Sequence, residues 1–204
     1  MMKRAMLRSW ALGFIFGASC AHAQVPPSGE MDRPPSSSPV TIDYSLSRYA
    51  LPYVPELSYR ANACSLQAAA HHRVNPDILR AILLVESGGR PFAINKNANG
   101  TFDIGIAQIN SIHLRDLSKF GIRPEHLFDE CISIFVAAWH YRKQIDRFGN
   151  TWQAVGAYHS VTPVHNTRYQ RLVYRKLLSM RERAQAMAFA MGSLSLQGRA
   201  PASR

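Results

Sequence analysis

The chain has 204 residues and predicts an all-α (mainly α) domain interrupted by one long irregular loop or small ribbon. Three observations carry that expectation. Apolar residues between Ala61 and Met191 recur at helical spacing. Asn, Pro, Thr and Gly residues punctuate those runs where helices start and stop. A single Asn- and Gly-rich stretch, Phe92 to Gly105, breaks the pattern.

The elements follow in order. Ala61 to Arg73 is Ala-rich and reads as a helix. Asn75-Pro76-Asp77 opens a second, with Asn as cap and Pro in the first turn. This helix carries the run Ile78 to Glu86 and ends at Gly88-Gly89 and Pro91. The irregular segment 92–105 follows, and a loop of that length in a compact domain is usually functional. Ile106 to Asn110 is short and apolar. Arg115 to Phe120 reads as a short helix closed by Gly121. Glu125 to Arg147 holds a longer helix, with Ile132, Phe135, Val136 and Trp139 on its inner face and Gly149 beyond its end. Thr151 caps a short helix, Trp152 to Tyr158. Tyr169 to Met191 is a long basic helix stopped by Gly192. Trp139 and Trp152 read as core residues; Tyr169 and Tyr174 stay open between core and sugar contact.

Both ends differ from this middle. Residues 1–23 read as a secretory signal: Lys3, Arg4 and Arg8 precede an apolar core, Trp10 to Gly17, and Ala21-His22-Ala23 is the cleavage site. The core is too short for a permanent anchor, so no stable membrane span is expected after cleavage. Maturation as a lipoprotein at Cys20 ranks second, since Gly17-Ala18-Ser19 lacks a large aliphatic residue at its start. Residues 24–57 form a Pro/Ser-rich linker, extended rather than packed. Residues 58–191 form the domain. Residues 192–204 are a small, polar, basic tail, expected to be disordered.

Cleavage after Ala23 removes one of three cysteines and leaves Cys64 and Cys131. In an oxidising compartment these pair, closing a long loop that chain-entropy arguments value at roughly 4–5 kcal/mol. The alternative is two buried free thiols. The formal charge of +11 becomes +8 once Lys3, Arg4 and Arg8 are lost. A basic exported protein favours nucleic acid, phospholipid or acidic wall polymers, and charge alone does not choose among them.

Glu86 is the residue that stands out. A helix turns by about 100° per residue, so Ile78, Ile82 and Glu86 share one face. A carboxyl buried there keeps its proton to higher pH, as a general acid requires. The alternative is a helix-end Glu paired with Arg90. Gly88 and Gly89 clear space beside it. Gln108 and Asn110 alternate with apolar residues in Asp103 to Asn110, and amides suit hydroxyl- and acetamido-rich sugars. Ala157-Tyr158-His159-Ser160 ends an apolar helix. His71, His72, His113, His126 and His140 have no metal-ligand spacing, and no Ser-His-Asp arrangement is legible. No metal or cofactor is expected.

Glu-Ser-Gly, then Gly-x-x-Gln-x-Asn about twenty residues on, then Ala-Tyr some fifty residues later resembles the lytic transglycosylases with a goose-lysozyme-like catalytic domain. Asp103 to Asn110 and the run Tyr158 to Tyr169 (Tyr-His-Ser-x-Thr-Pro-x-x-Asn-x-x-Tyr) resemble the small specialised members that accompany conjugation and secretion machines. The likeness covers roughly residues 61–174. It implies a lysozyme-like fold and Glu86 as single acid/base. It also implies Ser87 and Gln108 at the glycan, and Tyr158 bonded to the catalytic carboxylate. Ala107 replaces the usual Met, and Tyr158-His159-Ser160-Val161 departs from the usual Tyr-Asn-Ala-Gly. His159 therefore stands where the family has Asn, and joins Asn110 among the candidate substrate contacts.

The resemblance implies an exported, periplasmic enzyme that cleaves the MurNAc-GlcNAc β-1,4 bond of peptidoglycan and leaves 1,6-anhydro-MurNAc, opening the wall for a conjugation or secretion channel. Its expected partners are glycan strands and subunits of such a channel, not nucleic acid. Two alternatives stand beside this: a hydrolysing muramidase using Glu86 and Asp103, and a non-catalytic wall-binding assembly factor. Asp103 has a plainer reading as a turn residue capping its own backbone.

Overall fold

The computed structural model describes residue 51 and residues 53–197, with side chains as far as residue 190. The expected signal peptide, most of the expected linker and the end of the expected tail lie outside the described residues. Six α-helices and a three-stranded ribbon make up the described fold: α1 Tyr59–His72, α2 Pro76–Ser87, β1 Ile94–Lys96, β2 Phe102–Ile104, β3 Ile109–Asn110, α3 Leu114–Leu117, α4 Glu130–Phe148, α5 Trp152–Ala157 and α6 Pro163–Gln197. Short 3-10 turns lie at 111–113, 118–120 and 124–128. The architecture is mainly α and lysozyme-like. No helix among the described residues is long and apolar enough to cross a membrane.

Local chemistry sets the helix ends. Ser58 caps α1 by accepting from the Ala61 N–H, so the helix starts at Tyr59, two residues before the expected Ala61. Asn75 accepts from the Asp77 and Ile78 N–H groups at the head of α2, and Pro76 needs no partner there. Asp129 caps α4 through the Ile132 N–H, so this helix starts at Glu130; the expected first turn from Glu125 is a separate 3-10 turn. Thr151 caps α5 as expected.

Two expectations are corrected. The last helix begins at Pro163, six residues before Tyr169, because proline's fixed φ suits the first helical turn. It also runs through Gly192 to Gln197, since one glycine costs a helix only about 1 kcal/mol. Residue 51 and residues 53–57, placed in the linker, belong to the packed domain: Val54 and Leu57 are core residues. The Asn62 amide and the Val54 backbone bond each other in both directions at 2.9 Å. Arg80, fully buried, donates to the Leu51 carbonyl (2.6 Å), Ser65 Oγ (2.8 Å) and the Asn62 carbonyl (3.2 Å). A buried guanidinium is tolerable only with such partners, and these tie the incoming strand, α1 and α2 together.

Cys64 on α1 and Cys131 on α4 are disulfide-bonded, with their Cα atoms 5.3 Å apart. The helices pack α1 on α4, α4 on α5, and α6 on both α2 and α5. Trp139 is buried in this core, as expected, whereas Trp152 is partly exposed and meets Tyr174 edge-on at 5.4 Å.

The segment after α2 is a ribbon rather than a bare loop. β1 pairs antiparallel with β2 (Asn95 opposite Asp103), and β2 with β3 (Asp103 opposite Asn110). Gly105 turns the chain between β2 and β3 at φ +76°, and a Cβ there would lie 1.9 Å from the Leu127 carbonyl oxygen. No other residue type fits that approach. The turn seats the ribbon on the chain leading into α4, across from the end of α2.

Candidate active site

Glu86 is the penultimate residue of α2. Leu79, Ile82 and Leu83 bury the helix behind it, while Glu86 itself is half-buried at the edge of a groove of about 530 Å³. Burial pushes its carboxyl up to about 7; Asp103 adds to the rise, and a hydrogen bond from Tyr169 opposes it. Among the described residues Glu86 has no ion pair. Arg90 turns back to donate its Nε–H to the Ser87 carbonyl at 2.8 Å, so the alternative of a Glu86–Arg90 pair is not what the structure shows.

The tyrosine on the Glu86 carboxyl is not the expected one. Tyr158 donates its O–H to the Ala107 carbonyl at 3.0 Å. Tyr169, from the second turn of α6, donates to Glu86 Oε1 at 2.5 Å. The cause is the earlier start of α6, which puts Tyr169 on the same inward stripe as Val173 and Leu177. Burial raises both phenols well above their ordinary value, and the Glu86 charge raises them further. Tyr169 therefore remains a donor wherever the protein is folded. The residues that could have revealed it were in view: Pro163 as a first-turn proline, and Tyr169 six residues on.

Ser87 is corrected too. It is buried, donates to the Ile106 carbonyl at 2.7 Å and accepts from the Arg90 N–H. It does not line the groove; it fastens the end of α2 to the ribbon. Gln108 does line the groove, in a left-handed conformation at φ +48° that is unusual for a residue with a Cβ. Its Nε2 donates to the Gly105 carbonyl at 2.9 Å, and its Oε1 accepts from Asn95. Those bonds hold the strained turn.

Asp103 caps no backbone of its own. Its carboxylate accepts from Asn97 Nδ2 (3.0 Å) and Asn110 Nδ2 (2.7 Å), and it faces the groove with Asn110. His159 lines the same groove with its ring stacked on Tyr169, centroids 5.0 Å apart and planes 4° from parallel.

Sequence reasoning missed the far wall. His113 and His140 stand there with ring centroids 4.8 Å apart. Burial lowers His113, and burial together with His113 pushes His140 down to about 4. Both are neutral at pH 7. Asn97, Asn99 and Thr101 of the ribbon also line it, beside Tyr158 and the apolar Ala98, Ile109 and Ile112. Apart from Glu86 and Asp103, this groove offers neutral amides, hydroxyls and imidazoles, which suit uncharged sugar hydroxyls and acetamido groups.

These residues match known proteins. The transglycosylase SLT domain model matches residues 63–176. The invasion protein IagB of Salmonella typhimurium (strain LT2) is 38% identical over 125 residues, covering 57% of this chain and 78% of IagB. Protein IpgF of Shigella sonnei is 32% identical over 139 residues, 65% of this chain and 91% of its own length. The X polypeptide of Escherichia coli is 37% identical over 102 residues, 50% of this chain and 60% of its own length. The SLT match takes in more than half of the chain, from before the disulfide to beyond Tyr169. The chain therefore belongs to the transglycosylase SLT domain family and acts on peptidoglycan as a lytic transglycosylase.

Proposed function

We propose that this protein, exported to the periplasm, cuts the MurNAc-GlcNAc β-1,4 bond without water and leaves a 1,6-anhydro-MurNAc end. The carrying observation is Glu86: a carboxyl held up to about 7 by burial, at the edge of a groove lined mainly by amides, hydroxyls and imidazoles. Tyr169 donates to Oε1, which leaves the other oxygen to hold the acidic proton. Glu86 gives that proton to the leaving glycosidic oxygen as the C1–O4 bond breaks. As a carboxylate it then takes the proton of the C6 hydroxyl, whose oxygen closes on C1. Glu86 ends as it began, and no second protein nucleophile is needed. The attacking hydroxyl belongs to the same sugar, so it arrives already oriented.

The likeness to IagB, named an invasion protein, supports a role in opening the wall locally for a secretion or conjugation channel. A digest of purified sacculi tests the chemistry. Mass spectrometry is expected to show anhydro ends, one water lighter than reducing ends, and the Glu86→Gln protein is expected to release neither.

Asp103 supports a second reading. It faces the groove close enough to raise Glu86, with both oxygens held by amides, as a second carboxylate in a hydrolysing muramidase would be. Reducing ends alone in the same digest would select this reading over the first.

A further inference from the structure

The run Tyr158 to Tyr169 folds as one unit. The His159 and Ser160 N–H groups bond the Gly156 carbonyl at 3.2 and 3.1 Å, and the Thr162 N–H bonds Ser160 Oγ at 3.1 Å. Pro163 starts α6, and the Asn166 N–H bonds the Thr162 carbonyl at 2.8 Å. The buried Asn166 amide then reaches back to the Gln153 and Ser160 carbonyls at 3.1 and 2.9 Å. Gly156 permits this: a Cβ there would lie 2.3 Å from Asn166 Oδ1. The turn between α5 and α6 is thereby pinned at both ends.

What the pinned turn presents is His159. Its ring lies flat on Tyr169 at 5.0 Å, and Tyr158 lies nearly parallel to the same ring at 6.4 Å. Tyr169 is the residue that touches Glu86. Flanking rings restrict the swing of a tyrosine about its side-chain torsions, and such stacks are favourable beyond the area they bury.

We propose that His159 is a positioning residue for the catalytic acid: the pinned turn holds its imidazole against Tyr169, and this keeps the Tyr169 phenol aimed at Glu86. The role requires a flat ring, not proton transfer by the imidazole. It rests on Glu86 being the acid of the proposed reaction. The ionisable groups around the pair are Asp103, Tyr158 and Tyr169 facing Glu86, and Asp103, His165 and Arg168 facing His159.

The test is a cycle of H159A, H159F, Y169F and H159A/Y169F, read by kcat, KM and the pH profile on soluble glycan strands. Carbon-13 titration of Glu86 runs beside it and needs no turnover. Loss of the stack is expected to lower kcat about tenfold in H159A with KM little changed, while H159F stays within about threefold of wild type. The alkaline limb and the Glu86 midpoint move up in H159A and Y169F, because the phenol that favours the carboxylate is released. Adding H159A to Y169F changes kcat by less than about twofold, since both act on one contact.

The proposal is overturned if the two effects multiply in the double variant, or if H159F falls as far as H159A. A rise in KM alone also overturns it, because that marks a glycan contact. Should H159A not fold, H159N takes its place in the cycle. Full activity in E86Q would instead remove the reading of the acid, and the carboxyl titrations would still report whether His159 acts on Glu86.

Discussion

Glu86 binds its proton more tightly in the folded protein than in the unfolded chain, so folding is linked to pH through it. Its folded value of about 7 lies above the ordinary value of 4.5. Between these the unfolded chain releases a proton that the native state retains, so this group's contribution to stability falls as pH rises through that window. Glu86→Gln removes the penalty and keeps an acceptor for Tyr169. The variant is expected to be inactive, and more stable than wild type by about 1–3 kcal/mol at pH 8 with little difference at pH 4.5. Thermal melts at the two pH values check this. In the proposed reaction the same protonation governs the rate: kcat/KM on soluble glycan is expected to decline above about pH 7, as Glu86 ionises. Tyr158 has the other task. Tyr158→Phe leaves the Ala107 carbonyl without its donor and is expected to cost about 1–3 kcal/mol, with Glu86 keeping its partner. Glu86 was legible in the sequence because an acid at the end of an apolar helix is costly unless it is used. The partner of its carboxyl was not, because two tyrosines eleven residues apart differ only in where α6 begins.

The helices were legible where a capping residue or a glycine marked a true end, as at Asn75, Thr151 and Gly121, whereas Gly192 marked none. Their errors came from competing starts: Pro124 opens a 3-10 turn and Asp129 the true helix, and nothing local ranks one above the other. The ribbon was legible only as one of two options, irregular loop or small ribbon, because its pairing depends on Asp103 meeting both Asn95 and Asn110 across the strands. Between elements, the disulfide joins α1 to α4 across a sequence separation of 67 residues. Replacing Cys64 and Cys131 with Ser is expected to cost about 2–5 kcal/mol, and reductant is expected to lower the melting temperature of wild type but not of the double variant. Gly105→Ala is expected to damage the site more than the core, because the Leu127 carbonyl must retreat to admit a methyl group and the Gln108 turn moves with it.

At the scale of the whole molecule, charge and chain ends set behaviour that no single site explains. α6 carries Arg168, Arg171, Arg175, Lys176, Arg181 and Arg183 against one acidic residue of its own, Glu182. Binding to sacculi is therefore expected to weaken about tenfold between 0.05 and 0.5 M salt, measured by pelleting inactive E86Q protein with the wall. The last buried side chain described on α6 is Met180, and Arg183 pairs with Glu56. A chain ending after Arg183 is expected to melt within about 2–4 °C of the full chain and to cleave soluble glycan at the same rate. The acid is made early and its partner 83 residues later, on the helix that closes the domain. A nascent chain that has emerged only as far as the ribbon holds Glu86 with nothing to orient it. In the proposed reaction the acid is aimed only once the final helix has docked, so a half-made chain is expected to be silent and to gain the competence to cut the wall last.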